Sequence, residues 1–567
     1  MTSTQIALSL HEYKYSISAL LLFVLVIFIG FYPLVDRFIQ SRSNLKDISY
    51  LEKLVFAVVA AIVYIALAGI ILIFISNDIR RVTALFLIFS PVIFGIWRLR
   101  HLRIETIRRS LKTSEVPFVC GWLLFNALIL LLVSINVTLP DKLPDGAFVN
   151  KDHVSAVRIQ TLTGNLPADN AIPYVAEEYL ARGISFERNS PILPGQVVSN
   201  RPILVSLVVL PFRLAMTNVE PLADLPTYNY VGTEWPDFRV LLRDKAPFAL
   251  FLGIGIFLNS LLLLGMFLFA ANIKNYGSTN KLLLSLLFMT SPYFLFQTIF
   301  TWPKSLAGFF SIVAIFTFLK YRKTIFPAVC LGLAFLSHPS ALAYLLVAAG
   351  LLFFDFSVPF QQRFRRLTHG LLTLGLVLSP WFLWTNFVIG IKSDLVMQNV
   401  TANGLGIYNL VWMRIANLAN AFFPGHLLAH GNSFTDAYLR SSTNLSGAVG
   451  TIFLGYALFL KKKITSSNKV GISFTNPTNL DVQHLRYAFL FFLLSSLMLN
   501  LLFSYGTPVL LHGWQPFAGM LLVFCIYFVN KEDNFFSYFC WAQIAVNVTT
   551  FLIYLSVYFK EIGKHLL

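Results

Sequence analysis

The chain has 567 residues, of which 57% are hydrophobic and only 12% are charged. Soluble domains carry about a quarter charged residues, so this composition excludes an ordinary soluble protein and indicates that lipid is part of its solvent. The formal net charge of +17 would suit a nucleic-acid ligand, but the basic residues form short clusters between apolar segments, as the positive-inside rule describes. We therefore expect the lipid bilayer, and no nucleic acid, as a partner.

Apolar segments long enough to cross a bilayer recur along the sequence, beginning at about residues 17–34. They predict an all-α polytopic membrane protein with about 12–14 transmembrane helices and a large first external loop that contains amphipathic or re-entrant helices. The predicted regions are N-terminal transmembrane helices (1–136), an external loop with the candidate active site (137–246) and a transmembrane core (247–390). A second external segment (391–445) and C-terminal transmembrane helices (446–567) follow.

The basic residues between Arg98 and Lys112 give the predicted orientation. By the positive-inside rule this cluster is cytoplasmic, so the next apolar segment, about 117–136, carries the chain outside. Later basic clusters then also fall inside: Lys320–Lys323, Arg363–Arg366 and Lys461–Lys463. The stretch Asn77–Arg81 faces outside in this topology, although it contains two arginines.

The first external loop is rich in acids, with twelve of the 26 Asp and Glu residues of the chain. Asp145 and Asp152 belong to a polar stretch that ends at His153, and the apolar positions between Val154 and Ile159 predict a short amphipathic helix on the membrane surface. Asp152 would open this helix, where a carboxylate either caps the helix or faces a substrate. Asp145 precedes a glycine, so turn formation is its alternative role.

Three further candidates lie where apolar segments begin or end on the predicted outer side. Arg201 enters an apolar run that is too short to cross the membrane and is predicted to be re-entrant or interfacial. Lys304 closes a Thr-Trp-Pro-Lys motif between two apolar segments, and His338 precedes a proline at an outer turn. Ionisable residues at membrane depth suggest function. The alternatives are a lysine that reaches the headgroups and an ordinary turn residue before proline.

The sequence predicts neither a metal site nor a cofactor. His426 and His430 have the spacing of a metal-binding pair, but no acidic ligand accompanies them. The four cysteines all lie inside apolar segments and form no CxxC pattern.

The order of these motifs resembles the GT-C superfamily of polytopic membrane glycosyltransferases, especially the bacterial branch related to protein O-mannosyltransferases and lipid A aminoarabinose transferases. The shared features are an acidic motif with a histidine in the first large external loop, then Arg201-Pro-Ile-Leu, then Thr-Trp-Pro-Lys304 before a short span, then Leu-Ser-His338-Pro before another. The resemblance covers about residues 137–390.

The resemblance implies an enzyme that moves a sugar from a polyprenyl-phosphate donor to a glycan, lipid or protein acceptor of the cell envelope. It also implies an integral protein of a bacterial inner membrane, with the active site facing the periplasm or exterior. An external carboxylate would take the proton of the acceptor hydroxyl. Asp152 is favoured over Asp145 for this role because His153 adjoins it, and the next candidates are Glu177 and Glu178.

Basic residues near the membrane surface would hold the phosphate of the donor, and the candidates are Arg201, Lys304 and His338. A transporter or flippase for lipid-linked sugars or other envelope components is the alternative from another functional class. Such proteins place charges along a pathway inside the membrane and often contain repeats. Here the charges gather at one predicted face and no repeat is visible, which favours chemistry at the interface over transport. The remaining alternatives are an envelope polymerase, a ligase or a scaffold.

Overall fold

A computed structural model of the chain is predominantly helical. The structure describes residues 3–41, 48–99, 115–134, 172–187, 197–230, 245–272, 278–299, 301–355, 358–393, 407–422 and 534–566, short strand segments between 137 and 165, residues 233–236 and 240–241, and single residues between 450 and 494. The N-terminal helices are α1 Ser3–Leu25, which continues through a π-helical turn into α2 Tyr32–Gln40, then α3 Tyr50–Ile73, α4 Asn77–Leu99 and α5 Val116–Ser134.

Two shorter helices, α6 Ile172–Arg182 and α7 Leu204–Met216, belong to the predicted external loop. The remaining helices are α8 Lys245–Ala271, α9 Ser278–Thr290, α10 Pro292–Ile299, α11 Lys304–Tyr321, α12 Ile325–Ser337, α13 Leu342–Phe353, α14 Phe360–Leu383, α15 Ile407–Phe422 and α16 Asn534–Leu566.

Within the described residues, seven helices are long and apolar enough to cross a membrane, or eight if α9 and α10, which are bent by 53°, form one broken span. Four shorter apolar segments accompany them. The prediction of a helical, multi-pass membrane protein is therefore confirmed. The total of 12–14 spans stays a prediction because it also depends on segments outside the described residues.

Short antiparallel strands occupy part of the predicted external loop. They are β1 Val137–Thr138, β2 Val149–Asn150, β3 His153–Val154, β4 Ile159–Thr161, β5 Gly164–Asn165, β6 Thr227–Tyr230 and β7 Thr233–Pro236, paired β1–β4–β5, β2–β3 and β6–β7. The amphipathic helix predicted from Val154 to Ile159 is therefore wrong. Its apolar positions are β-branched, and such side chains favour a pleated strand.

Helix α8 forms the centre of the bundle, because its long apolar sequence is almost entirely buried. It packs against α1, α5, α7 and α11. The approach of α1 is close enough that a Cβ at Gly253 would lie 2.6 Å from the carbonyl oxygen of Ser16. By contrast, α14 is peripheral and leaves most of its apolar side chains exposed, as expected for a lipid-facing helix.

Helix α7 contains the apolar run that begins near Arg201. Its 13 residues are too few to cross a bilayer, and it packs instead against α3, α4, α6, α8 and α12 inside the bundle. Close contact with α3 is possible because Gly69 faces the backbone of Leu207. The run is therefore a short helix buried in the bundle, and its re-entrant or interfacial character stays a prediction.

Helices α11 and α12 define two ends of the bundle. Lys304 begins α11 and His338 follows α12, so both lie at what we call the site end. Lys320 and Arg322 lie where α11 finishes, at the opposite basic end. Which end faces the cytoplasm stays a prediction.

Arg80 gives a structural reason for the arginines that the predicted topology places outside. Its guanidinium donates to the carbonyl oxygens of Leu72, Leu180 and Ala181 at 2.8–3.0 Å. It therefore adds a charged donor to carbonyls in the last turns of α3 and α6 and ties the two helix ends together. Arg80 is 6% exposed, so its position reflects this packing role.

Candidate active site

The indole of Trp302 lies at the centre of the predicted site residues. The Arg201 guanidinium carbon is 5.3 Å and the Lys304 Nζ atom 4.1 Å from the centroid of the ring. The His338 ring approaches edge-on, with the two centroids 5.4 Å apart at 69°. We call these four residues the Trp302 cluster. The structure thus brings together three candidates from three distant segments of the chain.

Each member of the cluster is held at the end of a helical element. Arg201 follows the 3₁₀ turn Val198–Asn200 and precedes α7, and its N–H donates to the Val198 carbonyl at 2.9 Å. Lys304 is the first residue of α11 and is 4% exposed. Helix termini are fixed by the packing of their helices, so the geometry of the cluster depends on how α7, α11 and α12 pack.

His338 terminates α12 and begins the 3₁₀ turn Pro339–Ala341. Its N–H donates to the Ala334 carbonyl at 2.9 Å. Its ring Nδ1 accepts the N–H of Ser340 at 3.1 Å and lies 2.9 Å from the Ser340 hydroxyl. The turn role that the sequence allowed as an alternative is therefore present, and the same residue also reaches Trp302.

A small pocket adjoins the cluster, with a volume of about 10 Å³, which is the space of a single water molecule. Its wall includes Arg201, Trp302 and His338 together with Pro173 and Ala176 of α6. The pocket can hold one small polar group without rearrangement, but not a sugar ring.

A much larger cavity of about 960 Å³ lies beside this pocket. Helices α3, α7, α12 and α14 supply its mostly apolar wall, and Ile203 lines both the cavity and the pocket. Arg80 and Glu187 add polar groups to the wall. The size and apolar lining suit a ligand with a long hydrocarbon part.

Helix α6 is joined to α7 by a buried ion pair. Glu178 accepts from Arg213 Nε at 2.6 Å and from Arg182 Nε at 2.6 Å. The side chains of Glu178 and Arg213 are fully buried. Removing either partner of such a pair leaves an uncompensated charge, so this pair fixes α6 against α7.

Glu177, the neighbouring residue, is also fully buried but differs in its contacts. Its Oε1 lies 4.0 Å from Arg213 Nε, and neither carboxylate oxygen has a hydrogen-bond partner among the described residues. Burial and then the negative charge of Glu178 raise the pKa of Glu177 well above its usual range, against the opposing charge of Arg213. A carboxyl group in this setting favours its protonated form.

The predicted acceptor base cannot be placed in this geometry. Asp145 and Asp152 lie outside the described residues, as do His426 and His430. The backbone of His153, the residue after Asp152, pairs with Asn150 across β2 and β3 and is therefore extended, not helical. Among the described residues, no group of three or more His, Cys, Asp or Glu side chains could hold a metal ion.

Two features of the site were not predicted from the sequence. Trp302 was visible beside Lys304, but a tryptophan near an apolar segment is usually an interfacial anchor. Arg213 stood inside an apolar run, where a charge needs a partner, and that signal pointed to the pair with Glu178. Comparison with known proteins finds no matching family model, curated protein or solved structure.

Proposed function

We propose that the protein is a membrane glycosyltransferase, which moves a sugar from a polyprenyl-phosphate donor to a glycan, lipid or protein acceptor of the cell envelope. The observation that carries the proposal is the Trp302 cluster, in which two cations and a histidine meet beside a large apolar cavity. The order of the motifs that carry these residues, which resembles that of the GT-C superfamily, also supports it.

Arg201 and Lys304 supply what a departing phosphate needs. In such a transfer the bond between the sugar and the phosphate oxygen breaks, and negative charge grows on that oxygen. Fixed cations near the oxygen stabilise the growing charge in a water-poor site. An arginine can contact two phosphate oxygens at once, whereas a lysine acts as a compact point charge.

The cavity of about 960 Å³ suits the hydrocarbon tail of the same donor. Its apolar wall removes the tail from water, while Ile203 connects it to the pocket beside Arg201. In this arrangement the phosphate lies at the site end and the tail runs between the helices. The site end would then face the periplasm or exterior of a bacterial inner membrane.

The base for the acceptor hydroxyl is proposed to come from the stretch that contains Asp145 and Asp152, with Asp152 favoured. Glu178 is a poorer candidate because its carboxylate oxygens already accept hydrogen bonds from two arginines, so it is less free to reach an acceptor hydroxyl. Glu177 has a different problem, since burial favours its protonated form, which cannot take a second proton.

The direct test incubates the purified protein with a panel of polyprenyl-phosphate sugars and measures released polyprenyl phosphate. We expect release from at least one donor, and its loss in Lys304→Ala and Arg201→Ala. No release from any donor, with or without envelope acceptors, would count against the enzyme.

A transporter or flippase for lipid-linked sugars is the second candidate, because the large cavity would also serve such a protein. The two functions separate in sealed vesicles. A flippase moves the labelled lipid across the membrane with the sugar still attached, whereas the transferase releases polyprenyl phosphate.

A further inference from the structure

His338 is held by its backbone and by one ring nitrogen at the same time. Nδ1 accepts the Ser340 N–H at 3.1 Å, with the Ser340 hydroxyl 2.9 Å away. A backbone N–H is always a donor, so Nδ1 must present its lone pair to it. The proton of the neutral ring therefore belongs to Nε2, an assignment that follows from the hydrogen-bond partners.

The rest of the ring is directed into the site. His338 is 9% exposed, lines the small pocket together with Arg201, and meets Trp302 edge-on. The 3₁₀ turn thus fixes both the orientation of the imidazole and its tautomer. Such a second contact to a histidine commonly decides which nitrogen serves the ligand.

We propose that His338, in its Nε2–H tautomer, is the neutral hydrogen-bond donor to an oxygen of the lipid phosphate. This inference rests on the proposed function and adds a directional donor to the two cations. A lysine attracts an anion as a point charge and an arginine can contact two oxygens at once, whereas the single N–H on a fixed ring selects one oxygen. The small pocket, which holds one polar group, is where that oxygen lies.

A pair of substitutions separates this role from the structural one. Asn is among the best helix-capping residues, and in His338→Asn its side-chain oxygen can accept the Ser340 N–H while its amide is too short to reach the pocket. In His338→Gln the longer side chain brings an amide N–H close to the position of Nε2 but caps poorly. The first variant keeps the turn, and the second keeps the donor.

The probes are undecaprenyl phosphate and undecaprenol, which share the hydrocarbon tail and differ in the phosphate. The readout is the ratio of their dissociation constants for the purified protein in detergent, because this ratio cancels losses common to both lipids. We expect wild type to prefer the phosphate, His338→Asn to lose that preference by about tenfold or more, and His338→Gln to retain most of it. The melting temperature of His338→Asn should match wild type.

A wild-type ratio in His338→Asn would overturn the donor role, as would an equal loss of the ratio in both variants. If His338→Asn does not fold, His338→Ser, which also caps the turn and has no donor in the pocket, replaces it under the same criteria. Failure of the proposed function looks different, since wild-type protein would then either bind the two lipids equally or prefer the phosphate while releasing no polyprenyl phosphate from any donor.

Discussion

The two ends of the helical bundle place their cations against different partners. At the basic end, Lys320 donates to the buried carboxylate of Glu52, and Arg366 lies 3.5 Å from the buried carboxylate of Asp355. At the site end, the two cations of the Trp302 cluster lie against an aromatic ring.

This difference separates stability from recognition. A carboxylate neutralises a cation, so a buried ion pair fixes two helices but attracts no further anion. An indole attracts a cation through its quadrupole and leaves the positive charge in place. The basic end therefore has the character of a structural lock, whereas the site end is where we propose that the donor phosphate binds.

The largest expected effect is on turnover and comes from Asp152. Asp152→Asn keeps the size of the side chain but cannot take a proton, so the rate should fall by about 10²–10⁴ if this residue is the base. Binding of the donor and the melting temperature should be unchanged. Single-turnover kinetics with a saturating acceptor measures the effect.

Asp145→Asn is the matched control for this substitution. Normal turnover in Asp152→Asn with a slow Asp145→Asn would move the role to Asp145. Normal turnover in both would remove this stretch from the chemistry and leave Glu177 and Glu178 to be tested.

At the basic end, the largest expected effect is on stability. Lys320→Met leaves the buried Glu52 carboxylate without its cation, and breaking a buried pair typically costs about 3–5 kcal/mol. The melting temperature in detergent should fall, while turnover per folded molecule stays unchanged. The double variant Glu52→Gln/Lys320→Met should recover part of the loss, and an unchanged Lys320→Met would mean that the pair is not a lock.

At the site end, removal of a cation should produce the opposite pattern. Lys304→Ala or Arg201→Ala removes a charge-assisted hydrogen bond to the donor, worth about 1.5–3 kcal/mol, and kcat/KM should fall accordingly. The fall in melting temperature should be smaller than for Lys320→Met. Arg201→Lys should also be impaired if the guanidinium contacts two oxygens. Wild-type kinetics in both alanine variants would refute the phosphate site.

The sequence predicted the helical membrane fold because long apolar segments leave few other structures for a chain in lipid. It also predicted that Arg201, Lys304 and His338 share one face, since alternating spans return the chain to the same side. The first inference uses only the length and apolar character of each segment, and the second uses only the alternation of spans across the membrane. Neither required knowledge of which helices touch.

Contacts between helices were not predictable in the same way. Glu178 and Arg213 are 35 residues apart and meet only because α6 packs on α7. A helix was predicted from Val154 to Ile159 because a short apolar pattern fits either period, whereas Val154 and Ile159 lie in strands. The central position of Trp302 was not predictable either, because it depends on how the segments that carry Arg201, Lys304 and His338 pack together.

Glu177 differs from the other buried carboxylates because neither of its oxygens has a hydrogen-bond partner among the described residues. We expect this difference to be measurable in the pH dependence of stability. Its pKa is raised in the folded protein by burial and by Glu178, so the folded state holds this proton to a higher pH than the unfolded chain. The contribution of the protonated Glu177 to the stability of the fold is complete below the pKa that this group has in the unfolded chain. It is lost as the pH rises through the higher pKa of Glu177 in the folded protein.

Glu177→Gln removes this titration and should flatten the decline of the melting temperature above about pH 5. The exposed Glu220 provides the control, since Glu220→Gln should leave the wild-type curve unchanged. A wild-type curve in Glu177→Gln would show that this carboxyl group does not titrate differently in the folded state.

The smallest expected effect concerns the ring itself. Trp302→Phe keeps an aromatic face under Lys304 and Arg201 but weakens its attraction for cations, a change of up to about 1 kcal/mol. The donor KM should therefore rise by less than about fivefold, with the melting temperature nearly unchanged. Trp302→Leu removes the face altogether and should raise KM further, because both cations then lose the surface that orients them. If the donor KM of Trp302→Leu equals that of Trp302→Phe, the ring only fills space. The proposed difference between the aromatic partner at the site end and the carboxylate partners at the basic end would then be refuted.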